Sequence, residues 1–184
     1  MDEKFGRALV LLLKKLNISS LTDLGCGNGG YVNLLANFAG VTAYGFDGNP
    51  YTNTLDISGG NCIGPIDITS DYLWNQTDAA MSIEVAEHIP AYLEGKFLKN
   101  LVGIARKIII LSWDTPGKRG IGQVNGQTAK SVENKMRHLG WTKNEKHTQY
   151  LKKNATYRWL KRNIQVFEKL EDSLVQNNLK PTFY

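Results

Sequence analysis

Asp23-Leu24-Gly25-Cys26-Gly27-Asn28-Gly29-Gly30 is the stretch that sets the architecture. An apolar segment, Ile18–Leu24, runs into it as a strand. Helical spacing follows it in Val32, Leu34, Leu35 and Phe38. The unit is therefore strand, glycine loop, helix. Two spacings overlap in the loop: Gly25-x-Gly27-x-Gly29 and Gly25-x-Gly27-x-x-Gly30. The second is the dinucleotide spacing, and the first suits a smaller nucleoside ligand. Glycines also serve ordinary turns, so the weight comes from the strand before the loop and the helix after it. In that setting the loop's backbone N–H groups point at a ligand.

The alternation extends in both directions. Residues 2–16 place Phe5, Leu9, Leu12, Leu13 and Leu16 on one helical face. Val41–Phe46 reads as a second strand, stopped by Asp47-Gly48-Asn49-Pro50. Asn61–Ile66 and Asp78–Ile83 read as the third and fourth strands. Pro90 suits a first helical position, and Ala91–Arg106 carries aliphatic residues at helical spacing. Lys107–Trp113 holds the unbroken run Ile108–Leu111, which belongs to a strand buried on both faces. A glycine-rich loop spans Asp114–Gln127, and Thr128 can cap a helix through Leu139, closed by Gly140. Beyond it come a strand at Trp141–Lys146, a helix at Gln149–Leu160 and a strand at Asn163–Glu168. The polar tail Glu171–Tyr184 reads as a loose end. Strands alternating with helices imply an α/β chain, a Rossmann-like parallel sheet covered on both faces. Ligands of such sheets sit beyond the carboxyl ends of the strands.

The 184 residues suit one domain, and no internal repeat or Gly/Ser/Pro linker divides them. The longest apolar runs, Ala8–Leu13 and Ile108–Leu111, fall far short of the ~20 residues of a membrane span. Met1-Asp2-Glu3-Lys4 does not read as a signal peptide. Two cysteines cannot make a disulfide framework, and Cys26 sits in a glycine run where a bridge is awkward. The expected compartment is therefore reducing and cytoplasmic. The histidines His88, His138 and His147 are scattered and no Cys-x-x-Cys occurs, so no metal site is expected. Net charge is +5, unevenly spread. Residues 115–170 hold 13 Lys and Arg against three Glu, and the rest of the chain is acidic. That points either to an anionic partner beside the basic part or to a solvated face.

Two aspartates refine the ligand. Asp47 ends the second strand about 20 residues beyond the loop, where a carboxylate can accept both hydroxyls of a ribose. It can equally serve the turn that it opens. Asp23 precedes Gly25 by two residues. A phosphate gains nothing from a carboxylate there, whereas an ammonium or sulfonium is attracted to it. S-adenosylmethionine carries both.

Asp23–Gly29 resembles the first motif of the class I S-adenosylmethionine-dependent methyltransferases. Gly45-Phe46-Asp47-Gly48-Asn49-Pro50 resembles that family's acidic second-strand end, and Pro65-Ile66-Asp67-Ile68 its third-strand end. Ser82-Ile83-Glu84-Val85-Ala86-Glu87-His88-Ile89-Pro90 is similar to the Glu-Val-x-Glu-His segment of its small-molecule members. The four motifs keep their order, and the likeness covers residues 18–168. It implies a single methyltransferase domain over 1–184, with a seven-stranded, mostly parallel sheet whose last strand is antiparallel beside the fifth. It also implies S-adenosylmethionine as cofactor, with S-adenosylhomocysteine as product. The implied cofactor residues are Asp23, Gly25, Cys26, Gly27, Asn28, Gly29, Asp47, Gly48, Asp67, Ile68, Glu84 and Val85, with Asp67 at the adenine.

Methyl transfer from a sulfonium is an in-line displacement, and the protein's part is to place the acceptor and take its proton. His88, beyond the fourth strand, is the first candidate base, with Glu87 as a surface neighbour, and Asp114 is the second. Related methyltransferases often end the post-strand loop in Gly-His-Val or Gly-His-Ile; here Gln123 stands in place of that His and cannot act as a base. Trp113 is expected in the core. The favoured acceptor is an oxygen of a small or glycan-type, possibly anionic, molecule. RNA is the alternative, through Lys143, Lys146, Lys152, Lys153, Arg158, Lys161 and Arg162 with Tyr150, Tyr157 and Trp159. These aromatics are expected to fix their helix onto the sheet. Competing classes are a nicotinamide oxidoreductase, a lyase using the same cofactor, and a binding protein without turnover. The sequence leaves the oligomeric state open.

Overall fold

A computed structural model describes residues 1–71, 74–117 and 120–170. The central sheet has seven strands: β1 (Ser20–Leu24), β2 (Thr42–Phe46), β3 (Cys62–Ile63), β4 (Thr77–Ser82), β5 (Ala105–Leu111), β6 (Trp141–Lys143) and β7 (Gln165–Lys169). Their order is β3-β2-β1-β4-β5-β7-β6. The first five are parallel, and β7 runs antiparallel between β5 and β6. The chain builds outward from β1 through β2 to β3, then returns to the other side of β1 as β4. That reversal puts a crevice between the carboxyl ends of β1 and β4. The Ser82 hydroxyl donates to Leu24 O at 2.7 Å and ties the two ends together there.

Helices cover both faces. α1 (Glu3–Lys15), α2 (Gly30–Phe38), α6 (Glu145–Asn154) and α7 (Arg158–Asn163) enclose Leu21, Ala79, Met81, Ile108, Ile110 and Val166. α4 (Glu94–Ile104) and α5 (Ala129–His138) enclose Leu24, Ala80, Ile109, Leu111 and Phe167. Alternate residues of β5 thus enter opposite cores, as its unbroken apolar run requires. The helices have ordinary starts. The side chains of Asp2, Thr128 and Asn144 accept N–H bonds from Phe5, Ser131 and His147.

Several boundaries differ from the sequence reading. The third strand is two residues long, because Gly64 N donates to the Asn53 side chain and Pro65 has no N–H for a ladder. A short helix, α3 (Thr52–Leu55), precedes it. Pro90 opens a turn, with Leu93 N donating to its carbonyl, and α4 begins at Glu94. β6 stops at Lys143 because Asn144 caps the next helix. The helix expected at Gln149–Leu160 is two helices, α6 and α7. Between them, Thr156 and Tyr157 turn their N–H groups to the Asp2 carboxylate, at 2.5 and 2.8 Å. The tail Glu171–Tyr184 lies outside the described residues. Among the described residues, no helix is long and apolar enough to cross a membrane.

Candidate cofactor and acceptor site

The glycine loop is held to β2 by its own backbone. Gly25 N and Cys26 N both donate to Phe46 O, at 2.7 and 3.2 Å. Gly25 has φ +87°, and a Cβ there would lie 2.2 Å from Val85 Cγ2. Gly29 has φ +77°, and a Cβ there would meet Asp56 and Cys62 within 2.8 Å. These two glycines are structural. Gly27 is different: its φ is +56°, yet a Cβ there would meet nothing within 4 Å. The space a side chain would fill there is open, so a ligand can approach the loop closely.

Met1, Asp23, Gly25, Cys26, Gly27, Asn28, Gly30, Tyr31 and Ile83 line a cavity of about 150 Å³. Five of these are expected site residues; Met1, Gly30, Tyr31 and Ile83 are not. Asp47 joins them through its carboxylate, which accepts Gly27 N and Asn49 N, both at 2.8 Å. It therefore serves the turn and borders the loop at once. Gly48 follows it, and a Cβ built there would lie 3.8 Å from Ile66 O. Asp67 and Ile68 lie farther along the sheet edge, outside this cavity. Asp67 is exposed; its Oδ1 accepts the Thr69 N–H and hydroxyl, and those bonds hold its pKa below the usual value. Ile68 is buried in the second core.

Asp23 carries the electrostatic signature of the cavity. It is 3% exposed and its Oδ1 has no hydrogen-bond partner. Burial, with the Asp47 charge added, pushes its pKa up to about 8. A buried carboxylate without a donor costs free energy that a cationic group beside it would recover. Asp23, the open face of Gly27 and Asp47 thus fit the aminoacyl and ribose parts of S-adenosylmethionine.

The second cluster lies beyond β4 and β5. Glu84 has φ +58°, a strained value for a residue with a side chain. Ser112 holds it there, accepting Glu84 N and donating to Oε1, both at 2.7 Å. Burial, with the Glu87 and Asp114 charges added, raises its pKa to about 7. Val85 packs on Gly25, as above. Glu87 reverses the sequence expectation of a surface residue. It is 1% exposed, and neither carboxylate oxygen has a partner by hydrogen-bond geometry. Burial and Asp114 push its pKa up. The sequence hid it because a Glu one turn after a strand reads as polar surface. His88, by contrast, is exposed.

The glycine-rich loop folds back onto this cluster. Val124 N and Asn125 N donate to Glu87 O at 2.9 and 3.0 Å, and Gly122 lies against His88. Gln123 Nε2 donates to Asp114 Oδ2 at 3.2 Å. Asp114 Oδ1 accepts Thr115 N and Asn163 Nδ2, at 2.8 and 2.9 Å. Asn125 and Gln127 reach Glu94, which also pairs with Lys135 at 2.5 Å. Residues 123–127 are thereby a fixed wall of the crevice. Trp113 is 3% exposed, donates to Asn125 O and meets Phe97 edge-on, so it is core as expected.

The basic segment divides. Tyr150 packs against the core, as expected. Tyr157 and Trp159 do not: they are 39% and 43% exposed and stack on each other at 4.7 Å. Asp2 anchors the turn that presents them. Arg158, Lys161 and Arg162 neighbour the stack in sequence and are all exposed. Lys143 instead pairs with Glu145 at 2.6 Å.

No family model and no curated protein sequence matches the chain. Solved structures do. Magnesium protoporphyrin IX methyltransferase from Synechocystis PCC 6803, with bound SAM, aligns at TM-score 0.66 and 17% identity, over 91% of this chain and 78% of that one. The sugar N-methyltransferase KedS8 from Streptoalloteichus sp. aligns at 0.65 and 13%, over 89% and 85%. The small RNA methyltransferase HEN1 aligns at 0.64 and 15%, over 91% of this chain and 25% of that one. In its seven-stranded, mostly parallel sheet with an antiparallel β7, the chain has the fold of the class I S-adenosylmethionine-dependent methyltransferases.

Proposed function

We propose that residues 1–184 form one methyltransferase domain that moves a methyl group from S-adenosylmethionine to an oxygen of a small or glycan-type acceptor. The observation that carries this reading is Asp23, a buried carboxyl group with an unpartnered oxygen, lining one cavity with Gly27, over which a side chain's worth of space is open. Asp23 and the glycine loop, with Asn28, would hold the aminoacyl end, Asp47 and Gly48 the ribose, and Asp67 and Ile68 the adenine. Glu84 and Val85 would border the cofactor. The cofactor supplies an electrophilic methyl group already activated by its sulfonium.

The chain's own residues then place the acceptor and handle its proton. His88, exposed against Gly122, takes the proton from the acceptor hydroxyl. Asp114 fixes Gln123, which orients the acceptor by hydrogen bonding. Glu84 and Glu87 place acidic groups at this end of the crevice, and a cation beside them would draw them into the charged form, which suits a sulfonium better than a nicotinamide phosphate.

Titration calorimetry with S-adenosylmethionine and S-adenosylhomocysteine tests the cofactor. Micromolar binding supports the reading, and a folded sample that binds neither but binds NADH overturns it. A labelled-methyl screen over sugars, small anions and short RNAs tests the acceptor. RNA is kept as a second reading because of the exposed Tyr157–Trp159 stack and its flanking arginines, which suit a base and its phosphates. Release of product without any acceptor would indicate a lyase.

A further inference from the structure

Cys26 and Cys62 belong to different elements, yet they meet over Gly45. Cys26 N bonds to Phe46 O, one residue along β2 from Gly45. Cys62 is the direct partner of Gly45 in the β2–β3 ladder. A Cβ built on Gly45 would lie 2.6 Å from both sulfurs. Only the missing side chain lets the two thiols come together. The Cys26 thiol donates to Gly27 O at 3.8 Å, and the closeness of the two sulfurs pushes the Cys26 pKa up and lowers that of Cys62. The Ser58 hydroxyl lowers Cys62 further, against its burial and the Asp56 and Asp23 charges. Of the two, Cys62 is therefore the readier to ionise, and Cys26 is the half-buried partner at the edge of the ligand cavity.

We propose that Cys26 and Cys62 form a peroxide-sensitive pair that closes to a disulfide and reshapes the glycine loop. The Cys62 thiolate attacks one oxygen of hydrogen peroxide. The O–O bond breaks, Cys62 becomes a sulfenic acid, and the departing hydroxide is protonated to water. The Cys26 sulfur, giving its proton to solvent, then attacks the sulfenic sulfur. The S–S bond forms, the S–O bond breaks, and the second hydroxide takes up a proton as water. Two thiols lose two hydrogens and two electrons, and one peroxide becomes two waters. Contraction to a bond of ~2.05 Å draws Cys26 toward β3. Gly27, the next residue, must shift with it, and its bond to Asp47 must readjust. Weaker cofactor binding in the oxidised form rests on the function proposed above; the bridge itself does not.

The test treats the native full chain with hydrogen peroxide in the presence of dimedone, alkylates what remains and reads masses. The expected product is lighter by two hydrogens, yields a reducible peptide pair joining Cys26 to Cys62, and carries no dimedone. Cys26→Ser should instead trap a dimedone adduct on Cys62. Two alkylated thiols, or a dimedone adduct in the unsubstituted protein, overturns the proposal. Because a loop variant can fail to fold, phenylarsine oxide on the unsubstituted protein gives an independent readout. Protection of both thiols by one arsenic is expected, and failure to protect them overturns the contact. The oxidised chain should bind S-adenosylhomocysteine at least tenfold more weakly than the reduced chain, and equal affinity overturns the effect on the loop. If the reduced chain binds none, the cofactor reading fails while the masses still decide the bridge.

Discussion

Gly27 donates its N–H to Asp47 at 2.8 Å, joining the loop after β1 to the end of β2 through a side chain rather than a ladder. The same carboxylate is the one expected to accept ribose hydroxyls. Asp47→Ala should therefore lower affinity for S-adenosylhomocysteine by about 1–3 kcal/mol, the cost of a lost charge-assisted bond. Calorimetry on the folded variant checks it, and unchanged affinity would remove Asp47 from the site.

Asp23 should show opposite signs in stability and in binding. Its pKa in the folded chain is about 8, against an ordinary value of 3.8. Between those values the folded state keeps a proton that the unfolded chain has released, so stability from this group falls as pH rises through that window. Asp23→Asn should flatten the fall, raise the ligand-free melting temperature at pH 8, and weaken binding of the cationic ligand by about 1–3 kcal/mol. Melts from pH 5 to 9 with and without S-adenosylmethionine read both effects. A variant that melts lower than the parent at pH 8 without ligand would contradict the buried-charge account.

Asp2 should behave in the other direction. Burial opposes its ionisation, but N–H donors from Tyr157, Phe5 and Thr156 prevail and hold its pKa below 3.8. Its contribution is present at neutral pH and is lost as pH falls below that ordinary value. Asp2→Ala leaves the N–H groups of Thr156 and Tyr157 without their acceptor and should cost about 1–3 kcal/mol in urea unfolding at pH 7. The difference from the parent should shrink in acid.

Gly45→Ala should destabilise the chain by about 1–3 kcal/mol, the usual range for overpacking. Its Cβ would meet Cys26 Cβ at 2.4 Å as well as the two sulfurs. Urea unfolding measures the loss; a neutral result would mean that the loop and β3 separate freely.

His88→Ala should leave S-adenosylhomocysteine affinity unchanged and lower turnover by about 10²–10⁴-fold on whichever acceptor the screen finds. Full turnover would pass the base role to the Asp114 side of the crevice.

The parts legible in the sequence were those governed by local rules. Ile108–Leu111 announced a strand buried on both faces, and Asp23–Gly30 announced a ligand loop because strand, glycines and helix are contiguous. What stayed hidden depended on distant partners. The break between α6 and α7 requires Asp2, more than 150 residues away. The burial of Glu87 requires the loop from residue 122 onward to fold over it. The meeting of Cys26 and Cys62 requires β2 to place Gly45 between them, although each cysteine alone reads as unremarkable. Tyr157 and Trp159 are expected from the sequence to fix a helix onto the sheet, and the turn held by Asp2 directs them outward instead.

That Asp2 anchor also sets an order of events during synthesis. Residue 2 cannot find Thr156 and Tyr157 until they leave the ribosome, roughly 10–30 s after it at ordinary elongation rates. The apolar face of α1, with Phe5, Leu9 and Leu13, packs in the same core as Leu151 and Leu160. During that interval a nascent chain carries this face without its final cover. A helix made long before its cover is thus completed late, and the exposed interval is set by how soon residues 145–163 emerge.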